Sequence, residues 1–264
     1  MTAVAALVAV SVASAASPER LVLLVHPVLS EERTKQTYQP LADFLTRAAG
    51  VEVAIATRPN FFAYWDTVRK PDTYHLAFDE AHFTDYRIVK LGFSVLVKMP
   101  DSVSYTLVAP DNKPIIDPMN LAGKTIATLG PPSIGAARLG SMFPNPARQP
   151  SIVMVDDAED GMRRVLTRKV AAAILPTPIV SRQLSHAGGI TVVATTEPVP
   201  HSALSAAPTV TPVMRERIRA ALLSAHRSPD GQRMLAGIGV TRFDPATEET
   251  YANQSAILRQ YWGY

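Results

Sequence analysis

At 264 residues, with 47% hydrophobic and 19% charged side chains, the chain has the make-up of a core-forming globular protein and lies outside the disordered and collagen-like classes. Its 26 Lys and Arg exceed its 23 Asp and Glu by three, and no run of five basic residues occurs, so a nucleic-acid groove is not expected. The absence of Cys excludes disulfides, a thiol nucleophile and a lipidated cysteine anchor.

The opening run "MTAVAALVAVSVASAA", residues 1–16, is uncharged and ends in small residues. This is the pattern of a secretory signal with an Ala/Ser cleavage site; a buried N-terminal helix is the alternative, and the run is too short to span a bilayer comfortably. The expected location is therefore the bacterial periplasm, and a chain of this length can bury a sufficient core there without covalent cross-links. Next, "RLVLLVHPVL" reads as a buried strand ending at His26-Pro27. "TKQTYQPLADFLTRAAG" has helical spacing through Leu41, Phe44, Leu45 and Ala48, with Gly50 as the stop. "VEVAIATR" predicts a second strand, "NFFAYWDTVRK" a helix capped by Asn60 with Phe62 and Trp65 packing inward, "YHLAF" a third strand and "EAHFTDYRIVKLG" the helix after it. Alternation of this kind implies a mostly parallel sheet with helices on both faces.

Two strands close together, "FSVLVKMP" and "VSYTLVAP", precede a new unit that begins with "NLAGKTIATLGPPSIGAARLGSMF". Strand "SIVMV", helix "DDAEDGMRRVLTRK", strand "VAAAIL", a short helix from Thr177-Pro178 and strand "GITVVATT" complete it. After His201 only helices are expected, and these return to cover the first sheet. The expected organisation is two α/β lobes, residues 17–105 plus 200–264 and residues 106–199. Crossings near 104–110 and 195–201 then form a hinge around a cleft.

Ligands of such sheets bind beyond the carboxyl ends of the strands, which here carry His26, Arg58 and the pair Asp79-Glu80. The stretch "HLAFDEAHFTDYR" gathers Asp79, Glu80, His82 and Asp85 within seven positions. On a helix, residues two apart point about 200° apart, so Glu80 and His82 do not chelate together, and no metal site is expected. Asp79 reads as an N-cap with Glu80 in the first turn; both face the cleft as a pocket floor for a donor or cationic group, while Asp85 falls on the helix surface. Tyr38 and Tyr105 each offer a ring and a hydroxyl, and His201 reads as a hinge, pocket or solvated loop residue. Ser133 starts a helix, as an N-cap, an anion contact or both. No nucleophile-elbow, zinc-protease or dinucleotide motif occurs. "AGKT" lacks the Gly five positions earlier that a phosphate loop needs, Pro118 standing there instead.

Four segments in order, "YQPLADFLTRAAGVEVAIATR", "YHLAFDEAHF", "NLAGKTIATLGPPSIGAARL" and "SPDGQRMLAGIGVTRFDPATEETY", resemble the type 2 periplasmic solute-binding proteins. The likeness is greatest to their phosphate/phosphite/phosphonate (PhnD-like) branch. The resemblance implies two lobes closing on a small solute for a membrane permease or sensor. It also marks departures. Ser133-Ile134-Gly135 keeps one hydroxyl where the branch's phosphonate binders have consecutive ones, and Val155-Asp156-Asp157 replaces a Gly-Ser-His. Ala171 and His75 stand where the branch's strands carry Asp. The resulting candidate ligand-contacting set is His26, Tyr38, Asp79, Glu80, His82, Tyr105, Ser133, Gly135, Asp156 and Thr177, with no cofactor and no metal. The expected function is non-catalytic. A periplasmic monomer captures a small polar solute, phosphonate- or oxyanion-like or amine-bearing, for an ABC-type importer. The alternatives are a ligand-sensing partner of a membrane histidine kinase and an enzyme on the same fold.

Overall fold

The computed structural model describes residues 19–112 and 115–264, so the proposed signal segment at 1–16 lies outside the described residues. Among the described residues, no helix is long and apolar enough to cross a membrane. The first unit runs β1 (Arg20–Val25), α1 (Glu31–Ala49), β2 (Glu52–Ala56), α2 (Phe61–Val68), β3 (Leu76–Asp79), α3 (Ala81–Leu91) and β4 (Ser94–Lys98). Two short strands, β5 (Ser102–Val103) and β6 (Tyr105–Pro110), lead to β7 (Thr125–Thr128), α4 (Ile134–Met142), β8 (Ser151–Met154), α5 (Ala158–Leu166), β9 (Ala172–Pro176), α6 (Thr177–His186) and β10 (Ile190–Thr195). The chain then returns through β11 (Val199–Pro200), β12 (Ala203–Ala206), α7 (Pro212–Ser224), α8 (Pro229–Gly237), β13 (Asp244–Pro245), α9 (Glu248–Tyr251) and a closing 3-10 turn, Gln254–Gln260.

These elements build two lobes. One sheet has the order β13-β4-β12-β3-β1-β2, the other β10-β6-β9-β7-β8, and β5 pairs with β11 as a separate two-stranded ribbon. Strand β1 shows why the first sheet is covered on both faces. Leu21, Leu23 and Val25 pack with Leu41, Leu45, Ile218 and Leu222 on one side, whereas Leu24 packs with Phe61, Tyr64 and Phe83 on the other. Apolar residues at every position of a strand require this sandwiching between helix layers. Pairing among β1, β2 and β3 is parallel, as is pairing among β7, β8 and β9.

Local signals act where the sequence places them. The Asn60 side chain accepts from the Ala63 N–H at 2.9 Å to start α2, and Gly50 ends α1 in the left-handed region at φ 77°, its N–H donating to Thr46 O. Both are the expected helix-end devices, since an N-cap oxygen satisfies a free N–H and glycine takes positive φ without a Cβ clash.

Four expectations are corrected. The return to the first lobe is not all helical: β12 inserts as a fully buried strand antiparallel to both β3 and β4, and β13 pairs at the edge of β4. Residues 105–110 form β6 inside the second sheet, antiparallel to β9 and β10, so the first crossing lies at 102–103, where it pairs with 199–200, within the span read for the second. On α2 the inward face is Phe61, Tyr64, Trp65 and Val68, at i, i+3, i+4 and i+7, which turns Phe62 outward to 73% exposure. Asp85 is buried, because its carboxylate accepts the Ser255 N–H at 2.7 Å and ties the C-terminal turn to α3.

The carboxyl end of β3 carries the most concentrated charge in the core. Asp79 and Arg87 are both 0% exposed and form an ion pair. Asp79 also accepts from Tyr64 Oη at 2.5 Å and Thr84 Oγ1 at 3.3 Å, while Arg87 Nε donates to Ser205 Oγ on β12 at 3.2 Å. One cluster thus joins α2, β3, α3 and β12. Removing one partner of such a pair strands an uncompensated charge. Arg87→Met is therefore expected to destabilise the fold by about 3–5 kcal/mol in urea unfolding, and Asp79→Asn added to it to recover much of the loss.

Candidate functional site

A cavity of about 430 Å³ lies between the two sheets. From the first lobe it is lined by His26, Val28 and Leu29 after β1, Arg33, Thr37 and Tyr38 on α1, Glu80, Met99, and residues 236–239 at the C-terminal end of α8. From the second come Tyr105, Glu159 on α5, and Pro176, Pro178, Ile179 and Arg182 at the β9–α6 junction. Val103, His201 and Ser202 reach it from the ribbon and its exit. The lobes touch around it: the Tyr105 hydroxyl donates to the Glu80 carboxylate, the Ala158 N–H donates to Val28 O at 2.9 Å, and Arg33 pairs with Glu159 at 3.5 Å. The conformation is closed.

The sequence-derived candidates divide into two groups. His26, Tyr38, Glu80 and Tyr105 border the cavity. The other six do not line it. Asp79 is consumed by Arg87 and Tyr64, so the pocket-floor and N-cap roles read for it are corrected: Glu80 is the N-cap residue of α3, and its side chain makes no capping bond. His82 is buried beside a separate cavity of about 20 Å³ with Ile134, Ala137 and Ile257. Ser133 caps α4, accepting from the Ala136 N–H at 3.3 Å. Gly135 backs the Tyr105 ring so closely that an added Cβ would sit 3.2 Å from Tyr105 Cδ1. Asp156 is exposed, and Thr177 bonds to Thr106 Oγ1 at 2.8 Å. Arg58, also at a strand end, is held by Thr67 Oγ1 and Thr57 O.

Arg33, Thr37, Glu159, Arg182 and Ser202 line the cavity without having been singled out in the sequence. Arg33 and Thr37 had a signal, for they stand one turn apart on α1 and Thr37 adjoins Tyr38. That face becomes visible only once the helix is started at its true N-cap, Ser30, rather than at Thr34.

Burial sets the protonation of the floor. Desolvation pushes the Glu80 carboxyl up to about 7, while the Tyr105 hydroxyl and the Ile134 N–H favour its charged form and the Asp79 charge opposes it. His26 and His201 fall to about 4 and His82 to about 3, each chiefly through burial, so all three are neutral at pH 7. Glu80 Oε2, His26 Nδ1 and both His82 ring nitrogens have no hydrogen-bond partner. Among the described residues, no group of three or more His, Asp or Glu is arranged to hold a metal ion.

These shifts have opposite signs in stability. The histidines bind fewer protons folded than unfolded, so the fold loses stability as pH falls from about 6.5 toward 4. Glu80 binds more, so its contribution is full below about 4.5 and lost as pH rises through 7. Glu80→Gln is expected to exceed the wild type by up to about 3 kcal/mol at pH 8, a difference that closes by pH 4.5, in denaturant titrations across that range.

Comparison with known proteins gives a consistent answer. A phosphonate-binding protein of Prochlorococcus marinus, PhnD1 in complex with methylphosphonate, superposes with a TM-score of 0.77 at 14% identity, covering 92% of this chain and 98% of its own. A binding component of an ABC phosphonate transporter from Pseudomonas aeruginosa gives 0.73 at 12% identity, over 88% and 83%. A Xanthomonas citri protein bound to ATP gives 0.73 at 15% identity, over 91% and 97%. Such identities establish the two-lobed fold alone, and no curated protein matches the chain in sequence. The profile of the family described as "ABC transporter, phosphonate, periplasmic substrate-binding protein" matches residues 23–251, nearly the whole described chain, and the protein belongs to that family of transporter components.

Proposed function

We propose that this chain is the periplasmic receptor of an ABC importer for a small organic solute carrying an oxyanion of the phosphonate kind. The observation that carries the reading is the closed 430 Å³ cleft, bordered by both lobes, with the guanidinium of Arg182 among its lining side chains and that of Arg33 beside its partner Glu159. Guanidinium groups suit phosphonate oxygens, because their planar donor fork matches such acceptors. The apolar share of the lining, Val28, Leu29, Met99, Val103, Ile179 and Ile238, suits the carbon part of an organic solute over bare phosphate.

Contacts from both lobes make capture and closure one equilibrium. A solute that touches α1 and α6 together binds the closed state better than the open one, and that difference sets how far it shifts the population. The permease is then offered a closed receptor as the signal of loading. The neighbour with methylphosphonate supports the chemical class, since it shares the fold over nearly its full length.

Methylphosphonate, aminoethylphosphonate, phosphate and sulfate, each added in thermal-shift and calorimetric titrations, test this reading. An organic phosphonate at a hundred times its dissociation constant is expected to stabilise the protein by about 2.7 kcal/mol, whereas bare phosphate and sulfate stabilise it less. Arg182→Ala is expected to weaken the phosphonate by about tenfold, or roughly 1.4 kcal/mol. Failure of every phosphonate to stabilise the folded wild type would sink the proposal.

A further inference from the structure

The second sheet ends in a strand that is paired on one side only. Among the described residues β8, last in the order β10-β6-β9-β7-β8, pairs with β7 alone. The Ser151 and Val155 N–H groups donate toward β7, to Lys124 O at 2.9 Å and Thr128 O at 2.8 Å. The two-residue repeat of a strand then turns the N–H and C=O groups of Ile152 and Met154 to the free edge. Such a row of unpaired groups is a template for another strand, and proteins usually blunt it.

The other ends of the two main sheets are blunted. Strand β2 opens on the charged Glu52, β10 shifts register between Val192 and Ala194, and β13 has only two residues. Strand β8, "SIVM", carries neither a charge nor a shift. Its Ile152 is 50% and its Met154 65% exposed, and they share one face because they stand two apart.

The charges at the two ends of β8 identify the cover it suits. Lys124, whose carbonyl meets Ser151, and Arg148 are exposed at its start, and Asp156 is exposed at its end. Among the described residues none of the three takes part in an ion pair. A strand that is basic at one end, apolar in the middle and acidic at the other complements itself when reversed. In an antiparallel pair with a second copy, Ile152 lies opposite Met154 of that copy, and these residues exchange both hydrogen bonds. Pro150 has no N–H to offer, so opposite Asp156 of the second copy it ends the ladder. The Arg148 end of each copy then meets the Asp156 end of the other.

We propose that β8 is the contact strand of a two-fold homodimer, in which the second sheets of two copies join antiparallel through Ile152 and Met154 into one continuous sheet. This goes beyond the receptor reading and replaces the monomer expected from the sequence. The same patch serves both copies, as a closed two-fold contact requires. Strand β8 lies wholly in the second lobe, so the join leaves each first lobe free to move over its own cleft. A contact built on four-residue strands is small, and the dimer is accordingly weak and concentration-dependent.

Sedimentation of the full chain from about 1 μM to about 1 mM, with amide exchange followed by NMR at both ends of that range, tests the assignment. A monomer–dimer equilibrium is expected. On dimerisation the Ile152 and Met154 amides are expected to exchange several-fold more slowly, whereas those of Ser151 and Val155, already bonded to β7, change little. Met154→Lys is expected to abolish association. Arg148→Glu is expected to weaken it about tenfold, and Asp156→Lys added to Arg148→Glu to restore it. All three side chains are exposed, and a thermal melt checks that each variant is folded. A chain that stays monomeric at the highest concentration overturns the proposal. So does a dimer that survives Met154→Lys, one that leaves the Ile152 and Met154 amides unprotected, or one that the charge swap fails to restore.

Discussion

The buried pair of Asp79 and Arg87 is the constraint on which the geometry of the cleft depends. Two charges withdrawn from water are tolerable only when each is paired and hydrogen-bonded. Most of that requirement is supplied by drawing Tyr64 from α2, Thr84 from α3 and Ser205 from β12 to one point, with Arg87 Nη1 left without a hydrogen-bond partner. The guanidinium also lies near the rings of Tyr74 and Phe93, 6.0 and 5.7 Å from their centroids. Every element that borders the end of β3 is thereby registered against the others. Glu80, the next residue, takes its backbone position from this cluster, while its carboxylate is met by the Tyr105 hydroxyl.

Two adjacent acids at one strand end thus have unrelated duties. Asp79 faces a guanidinium inside the lobe, while Glu80 faces the second lobe and meets a hydroxyl and a helix terminus. The neutral histidines beside them add hydrogen-bonding capacity without adding charge, so the cavity is polar but carries few fixed charges on its floor. Its arginines lie on α1 and α6, away from Glu80 in the chain and on elements of different lobes. Charge is distributed along the cleft, and an elongated solute with unlike ends suits it better than a compact symmetric one.

Much of the architecture was legible in the sequence because it rests on local signals. Continuous apolar runs such as "RLVLLV" mark strands buried on both faces, and Asn60, Gly50 and Ser133 mark helix ends by the hydrogen bonds and dihedrals they satisfy. Strand β12 was not legible: "ALSA" has no β-branched or aromatic residue, and it is a strand because two neighbours supply its ladder. The choice between Phe61 and Phe62 turned on one residue of helical phase, about 100°. For Asp79, Glu80 and Asp85 the partners are Arg87, Tyr105 and Ser255, the last two distant in sequence, and acid residues alone do not announce which contact they make. Four of the ten candidates border the cleft because strand ends and the first helix converge there in any such sheet.

The ribbon that joins the lobes has a mechanical consequence. Val199 opposes Val103 and Pro200 opposes Ser102, so both crossings are laced together rather than running as independent strings. A laced pair behaves as a flexure: it bends across its width but resists shear along its length, since sliding would break its ladder. His201 and Ser202 emerge from the flexure directly into the cleft wall, so the element that sets the angle between the lobes also takes part in lining the chamber that the angle controls.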